Sequence, residues 1–444
     1  MIIMSEKSII DQREPWQKKP KFNWGKTLLI SFGFFASSIA WSQYNSQIPI
    51  ALDVLLPSQY LLIGFIMTLD NIIGMFLQPI MGNLSDRTKS RFGRRMPFIL
   101  IGLPISAGLF LLLALTKNTL WLYIIVIFFF VTAMAIWRAP VVSMMPDFVS
   151  PQNRSKGNAL VNIFGGIASA AAAFVGGILI DKDYFIGFVF VVVAMIVALI
   201  ILFFGVKEPD TREWDFSEAL NKKNEAGIWN KIKELVKEEE KSPIWMLIAI
   251  WAWFMTHQAI ESLLSLYATK IIGVSDGEAQ QLLLYVSISF IIFAFVSSFL
   301  SKKLTRRTTI LIGLGICILS LVSAIFIKGP DQLWLLIAIL IVYGAGWAFI
   351  NINSIAMMWD MATTPKQIGT YTGLYYFASF LAAVLGPISL GYIMEYVAGL
   401  EYLLPVGAVF MLIAIIAMLF VKRGEPELTE EQKSDLEKAK IDAK

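Results

Sequence analysis

This 444-residue chain contains one cysteine and one histidine. Cys317 alone excludes an intramolecular disulfide and any cysteine-rich metal site. His257 alone leaves no basis for a histidine-built zinc centre. Charge is scarce as well: 16% of residues are charged, against roughly a quarter in a soluble protein. There is no GxxxxGK[ST] segment, hence no phosphate-binding loop for ATP. The amino-terminal stretch MIIMSEKSIIDQREPWQKKPKFNW lacks the continuous apolar core and small-residue cleavage site of a secretory signal. It reads as a cytoplasmic tail with a basic anchor at Lys18, Lys19, Lys21 and Lys26. Nothing points to an enzyme, a cofactor, a bound metal or a nucleic-acid partner.

What is abundant is apolar sequence, 57% of the chain, in long unbroken runs. Runs of 17–25 residues or more suffice to cross a hydrocarbon core of ~30 Å as helices. Twelve are expected, over 27–51, 60–82, 98–116, 120–145, 157–180, 185–206, 243–270, 280–300, 308–327, 333–358, 369–394 and 402–422. The implied class is an all-α, multi-pass protein of the cell (inner) membrane, in contact with lipid and expected as a monomer. Its expected parts are a tail 1–26, a first six-helix set 27–206, a central loop 207–242, a second set 243–422 and a charged tail 423–444. In the central loop, Ile228, Trp229, Ile232, Leu235 and Val236 share one helical face. That pattern suits either a helix on the membrane surface or an ordinary linker helix.

Charge in the short loops is lopsided. One set carries Arg87, Lys89, Arg91, Arg94 and Arg95, then Arg154 and Lys156, then Lys302, Lys303, Arg306 and Arg307, then Lys366. The alternate set carries single lysines at 117, 182, 270 and 328, mostly beside acids. Basic short loops stay in the cytoplasm, so both termini are expected there. The two halves also echo each other. Met144-Met145-Pro146-Asp147 and Met357-Met358-Trp359-Asp360 each precede a polar loop and a new helix, 213 residues apart, and Arg94-Arg95 is matched 212 residues later by Arg306-Arg307. Repeats of this kind build two six-helix bundles facing one another across a central cavity.

The loop Gly82-x-Leu84-Ser85-Asp86-Arg87…Gly93-Arg94-Arg95 resembles the loop between helices two and three of the major facilitator superfamily. With Met96-Pro97-Phe98, Thr68-Leu69-Asp70-Asn71, Arg138-x-Pro140…Met145-Pro146-Asp147 and Asn351-x-Asn353-Ser354, the chain is similar to the sucrose and maltose–proton symporters, close to the glycoside–pentoside–hexuronide cation symporters. The resemblance spans nearly the whole chain. It implies alternating access and proton-coupled import of a small glycoside, such as maltose or sucrose. One departure matters: where plant sucrose symporters carry an acidic residue in helix four, this chain has Val131. Sodium-coupled symport and proton-driven efflux of an amphipathic compound are the alternatives. Helix five carries a Gly-rich stretch without proline, unlike drug/proton antiporters.

Ionisable residues inside membrane segments are costly, and each is a candidate for function. Asp70, Arg138 and Glu261 are the candidates for proton coupling, with the proton rather than sodium as coupling ion. A buried arginine cannot deprotonate and needs a counter-charge, which Asp70 supplies; the pair is either a switch or a fixed brace. Glu261 and His257 share a helix face at i, i+4. Glu261 is open to substrate binding, coupling or a structural pair. Candidates for holding sugar hydroxyls are Asn45, Gln47, Arg138, Asn158, Asn162, His257, Glu261, Asn351, Tyr371 and Tyr375, with interhelical packing as the competing role. Asn351 and Asn353 cannot share one face, so at least one should pack. Asp86, Arg87, Arg94, Arg95 and Asp147 are expected to form a cytoplasmic gate, pairing between helices when that side is closed.

Overall fold

A computed structural model describes residues 22–149, 153–212, 235, 240–327, 329–362 and 365–424. The expected tails, the amphipathic segment apart from Leu235, Lys328, and the side chains of Arg154, Lys302 and Lys366 lie outside the described residues.

Twelve long helices account for the described chain, and every boundary falls within four residues of its expected place. In order they are α1 Trp24–Leu55, α2 Tyr60–Asp86, α3 Met96–Thr116, α4 Leu120–Phe148, α5 from Arg154 to Lys182, α6 Tyr184–Gly205, α7 Ser242–Ile272, α8 Asp276–Lys303, α9 Arg306–Ser323, α10 Leu333–Asp360, α11 Pro365–Ile393 and α12 Leu403–Leu419. Their starts have local causes. Asn23 and Asp183 accept from the backbone N–H three residues on, at 2.9 and 3.1 Å. Ser275 and Glu278 form a reciprocal capping box before α8. Eleven of the helices are long and apolar enough to cross a membrane. The exception is α1, diluted by Gln43, Asn45, Gln47 and Asp53 yet 32 residues long. Side chains such as Trp121, Phe295 and Leu319 are about three-quarters exposed, which water would penalise and lipid does not.

Two helices are interrupted within their length, and α7 ends in a π turn over Ala268–Ile272. The α2 segments Tyr60–Met67 and Leu69–Asp86 meet at Thr68, whose hydroxyl donates back to the Phe65 carbonyl at 2.8 Å. Asp70 thereby stands in the first turn of the second segment. α5 contains a wider turn, Ala172–Gly176, of the π type that recurs at functional sites.

The helices form two bundles, α1–α6 and α7–α12. In the first, α1 packs on α5 and α6, and α4 on α2 and α3; in the second, α10 packs on α8 and α9, and α7 on α11 and α12. The rings of Tyr44, Phe130, Phe110 and Phe188 pack in sequence through the first core, Tyr44 stacked on Phe130 and Phe110 on Phe188, with Phe130 and Phe110 tilted to one another. The bundles meet through α1 with α7, α2 with α11 and α5 with α8. The start of α1, the end of α12 and the start of α7 lie at one end, where the Lys422 amide donates to Ser242 Oγ at 2.7 Å; this is the near end. At the opposite, far end the bundles touch closely, through Tyr60–Met67 on α11 and Gly177–Lys182 on α8. Leu69–Asp86 and Arg154–Ala171 make far sparser contact with the opposing bundle. The molecule is closed at the far end and parted toward the near end.

Candidate functional site

Between the bundles lies a cavity of about 390 Å³. From α1 it is lined by Ser37, Ser38, Trp41, Ser42 and Asn45; from α2 by Met67, Asp70 and Asn71; from α4 by Arg138. The second bundle contributes His257, Gln258, Glu261 and Ser262 of α7, Ser287 of α8 and Tyr343 of α10. Charged and polar groups dominate, and they come from both bundles.

Four contacts organise the cavity. Asn45 Nδ2 donates to Glu261 Oε1 at 3.0 Å, a charge-assisted bond from α1 to α7. Asn71 Nδ2 donates to Asp70 Oδ1 at 2.8 Å. His257 Nδ1 lies 3.2 Å from the Tyr343 hydroxyl, and its ring stacks on Trp347 with centroids 4.0 Å apart. The Arg138 guanidinium stands 5.9 Å from the centre of the Trp41 ring. Among the described residues no ion pair joins Arg138 to Asp70 or Glu261, although all three face the same cavity. The indole Nε1 of Trp41 is buried without a protein partner among the described residues.

Several expectations need correction. Glu261 pairs with Asn45 of the opposite bundle rather than with His257, because His257 turns to the α10 tyrosine. Gln47 does not reach the cavity: its amide donates to the Asp276 carbonyl at 3.0 Å and to Gln280 Oε1 at 2.8 Å, in the far-end closure. Asn158 and Asn162 are exposed on the near half of α5, outside the cavity. Asn351 also lies outside it, and Asn353 packs, donating to Ser297 Oγ at 2.9 Å and to the Phe349 carbonyl at 2.8 Å. Tyr375 bonds Ser354 at 3.0 Å, and the Tyr371 hydroxyl accepts from Arg423 at 3.2 Å. The cavity serines and Gln258 carried no signal in the sequence, since serine and glutamine are unremarkable in membrane helices. Asn71 did, standing beside Asp70.

The near-end charges also differ from expectation. Asp147 accepts from Arg94 at 2.7 Å and from Arg95 Nε at 3.1 Å, and Arg95 also pairs with Asp86 and donates to Ser85 Oγ at 2.6 Å. These groups belong to α2, to the loop that leads into α3 and to α4, all of one bundle, and they are paired while the bundles are parted at this end. Arg87 pairs with no acid among the described residues; it closes α2 while Arg94 and Arg95 lie across the loop from it. Two residues beyond α6 were not foreseen. Glu208 Oε2 accepts from the Arg95 amide at 2.9 Å, and Thr211 Oγ1 donates to the Thr88 carbonyl at 3.0 Å. Burial raises the Glu208 carboxyl above its ordinary range, against the pull of the Arg94 and Arg95 backbone amides. Gly93, at φ +93°, packs its bare Cα against this side chain. The second bundle repeats the theme with Arg306 on Asp360.

The Major Facilitator Superfamily profile matches residues 30–387. The chain belongs to that superfamily. It is thus a membrane transporter and not an enzyme. Curated relatives match over parts of the chain. Proton-associated sugar transporter A of Homo sapiens is 36% identical over 155 residues, 31% of this chain and 20% of that protein. Lactose permease of Lactobacillus helveticus is 48% identical over 52 residues, 12% of this chain and 8% of that protein. Tetracycline resistance protein, class H, of Pasteurella multocida is 22% identical over 81% of this chain and 86% of its own. The chain therefore spans about a fifth of the human relative. Among solved structures, a point mutant of nucleoside transporter NupG superposes with a TM-score of 0.71 at 15% identity, covering 89% of this chain and all of that one. A bacterial homologue of the human lysosomal transporter Spinster, inward-facing, gives 0.68 at 14%, covering 92% and 98%. At these identities the likeness is one of fold.

Proposed function

We propose that the protein imports a small glycoside, a disaccharide by preference, together with protons, with both termini on the cytoplasmic side. The observation that carries this reading is the cavity itself. Two carboxylates and one guanidinium, with asparagine, glutamine and serine side chains around Trp41, converge from both bundles on about 390 Å³. That size lies within the roughly 300–1,000 Å³ of small-ligand sites. An uncharged sugar needs many hydrogen-bond partners and a flat apolar surface for its ring, and this lining offers both. The near-end set of basic loops supports the orientation. The names of two partial relatives, a proton-associated sugar transporter and a lactose permease, point the same way.

Asp70 is the proposed proton carrier. Its hydrogen-bond partner is the Asn71 amide N–H, and the Arg138 guanidinium lines the same cavity; both are donors. Sodium would need several oxygen ligands instead. With no ion pair on Arg138 among the described residues, a sugar hydroxyl or Asp70 can take the guanidinium by turns, linking occupancy to protonation. One proton moving through ~100 mV supplies ~2.3 kcal/mol, enough for roughly fifty-fold accumulation. Export of an amphipathic compound is a second reading, favoured by the 22% likeness to a tetracycline resistance protein along most of the chain. The polar lining favours sugar. The deciding measurement is counterflow of labelled disaccharides in proteoliposomes, with and without an imposed pH gradient. Saturable sugar exchange that a gradient turns into accumulation is expected. Exchange of amphipathic drugs with no response to any sugar would overturn the proposal.

A further inference from the structure

The far end is closed by two helix pairs that the internal repeat relates, α5 with α8 and α2 with α11. Gly177-Ile178-Leu179-Ile180-Asp181 on α5 and Gly391-Tyr392-Ile393-Met394-Glu395, at the end of α11 and in the π turn Met394–Ala398 that continues it, lie 214 residues apart, close to the offset that links Asp147 to Asp360. Asp181 Oδ1 accepts from the Gly277 amide at 2.9 Å and Oδ2 from Ser275 Oγ at 2.9 Å. Glu395 Oε2 accepts from the Leu61 amide at 2.9 Å. Gly277 and Leu61 occupy the same place, the second residue of α8 and of α2. Amides there have no partner within their own helix, and the helix dipole adds attraction for an anion.

The glycine four residues before each acid makes the approach possible. A Cβ on Gly177 would stand 2.6 Å from the Gly277 carbonyl oxygen, and one on Gly391 would stand 2.9 Å from the Tyr60 carbonyl carbon. Each acid's hydrogen bonds cross to the other bundle: Asp181 belongs to the first and caps the second, while Glu395 belongs to the second and caps the first. Deeper in the seam, Gln280 Nε2 donates to the Ala172 carbonyl at 2.5 Å, at the first residue of the α5 π turn. At its edge Lys270 pairs with Asp53 at 2.5 Å, again from bundle to bundle.

We propose that Asp181 and Glu395 are a matched pair of latches, one supplied by each bundle, which hold the far end shut in this state, and that both must release before that end opens. A backbone amide at a helix start can be taken over by water once the bundles part, so the latches hold without locking. One latch on each flank of the seam makes the rocking symmetric: opening breaks both together. The proposal concerns the closure alone and does not depend on which solute or coupling ion the cavity takes.

Spin labels read it directly, with no transport involved. In a Cys317→Ala background, cysteines at Val54 and Val397, both 73% exposed, report the far-end separation across the bundles. The Asp181→Ala/Glu395→Ala double variant should raise the far-end-open population by at least about tenfold, since it loses three charge-assisted bonds, two at Asp181 and one at Glu395, with each single variant in between. Asp183→Ala removes the cap of α6 at the same end without touching the seam, and should leave the distances as they were. The Asp181→Asn/Glu395→Gln pair keeps side-chain shape and guards against misfolding; it should shift the population in the same direction, by less. An unchanged distance distribution in both double variants, or an equal shift in Asp183→Ala, overturns the proposal.

Discussion

Asp70, Arg138, His257 and Glu261 were legible as single residues because a charged or titratable side chain in an apolar run is costly enough to demand a reason. All four face the central cavity. Neutral Asn158, Asn162, Asn351 and Tyr371 were not separable from packing residues, since an amide or phenol in a membrane helix is satisfied equally well by a neighbour. For Asp70→Asn, uptake driven by a pH gradient should fall to the equilibrium level while counterflow persists; uphill accumulation by this variant would remove Asp70 from the coupling step. At Glu208, burial holds the folded-state carboxyl above its unfolded value. The folded protein therefore binds that proton more tightly, so its stabilising contribution is present at low pH and is lost as pH rises through the raised value. Glu208→Gln retains an acceptor for the Arg95 amide and removes the charge. Its melting temperature in detergent at pH 7 should equal or exceed that of the parent, with a flatter dependence on pH above the ordinary glutamate range. A drop of several degrees would show that pairing with Arg95, rather than burial, sets the balance.

At the scale of elements, the helices announce themselves by length and apolar content, yet α1 does so least while sitting at the centre. Its polar residues are tolerated because protein, not lipid, surrounds them: Gln43, Ser46, Gln47 and Asp53 are all buried. The break at Thr68 and the π turn at Ala172 left no sequence mark, because both depend on which backbone groups a neighbouring helix can reach. Interhelical hydrogen bonds in membranes average only about 0.6 kcal/mol. Thr256, whose hydroxyl donates to the Gly407 carbonyl at 2.7 Å between α7 and α12, should therefore tolerate replacement by valine with a loss of that order. Trp137 is fully buried and donates to Ser106 Oγ at 3.0 Å; Trp137→Ala should cost about 3–5 kcal/mol, mostly as a cavity. Equal losses in the two variants, measured by thermal unfolding in one detergent, would mean that hydrogen bonds rather than packing hold this bundle.

For the whole molecule, the charge bias of the loops sets an expected orientation and the two-fold repeat sets the architecture. With both termini cytoplasmic, protease added outside intact cells should spare tags at either end and cut them only after permeabilisation. Cleavage in intact cells would invert the topology, and with it the sense in which the near end is called cytoplasmic. The twelve spans, the repeat, the superfamily and the intramembrane charges were determined by the sequence alone, because each is a local property: an apolar run, a loop charge, a motif at a fixed offset. Which residues meet was decided only by the tertiary structure. Glu261 reaches Asn45 across 216 positions of chain, and Gln47 leaves the cavity for the seam. The near-end arginines knit one bundle instead of bridging two. Asp181 and Glu395 find the open helix starts of the opposite bundle. Those pairings depend on how two rigid bundles lean against each other, and the lean belongs to the conformational state the molecule occupies rather than to any stretch of its chain.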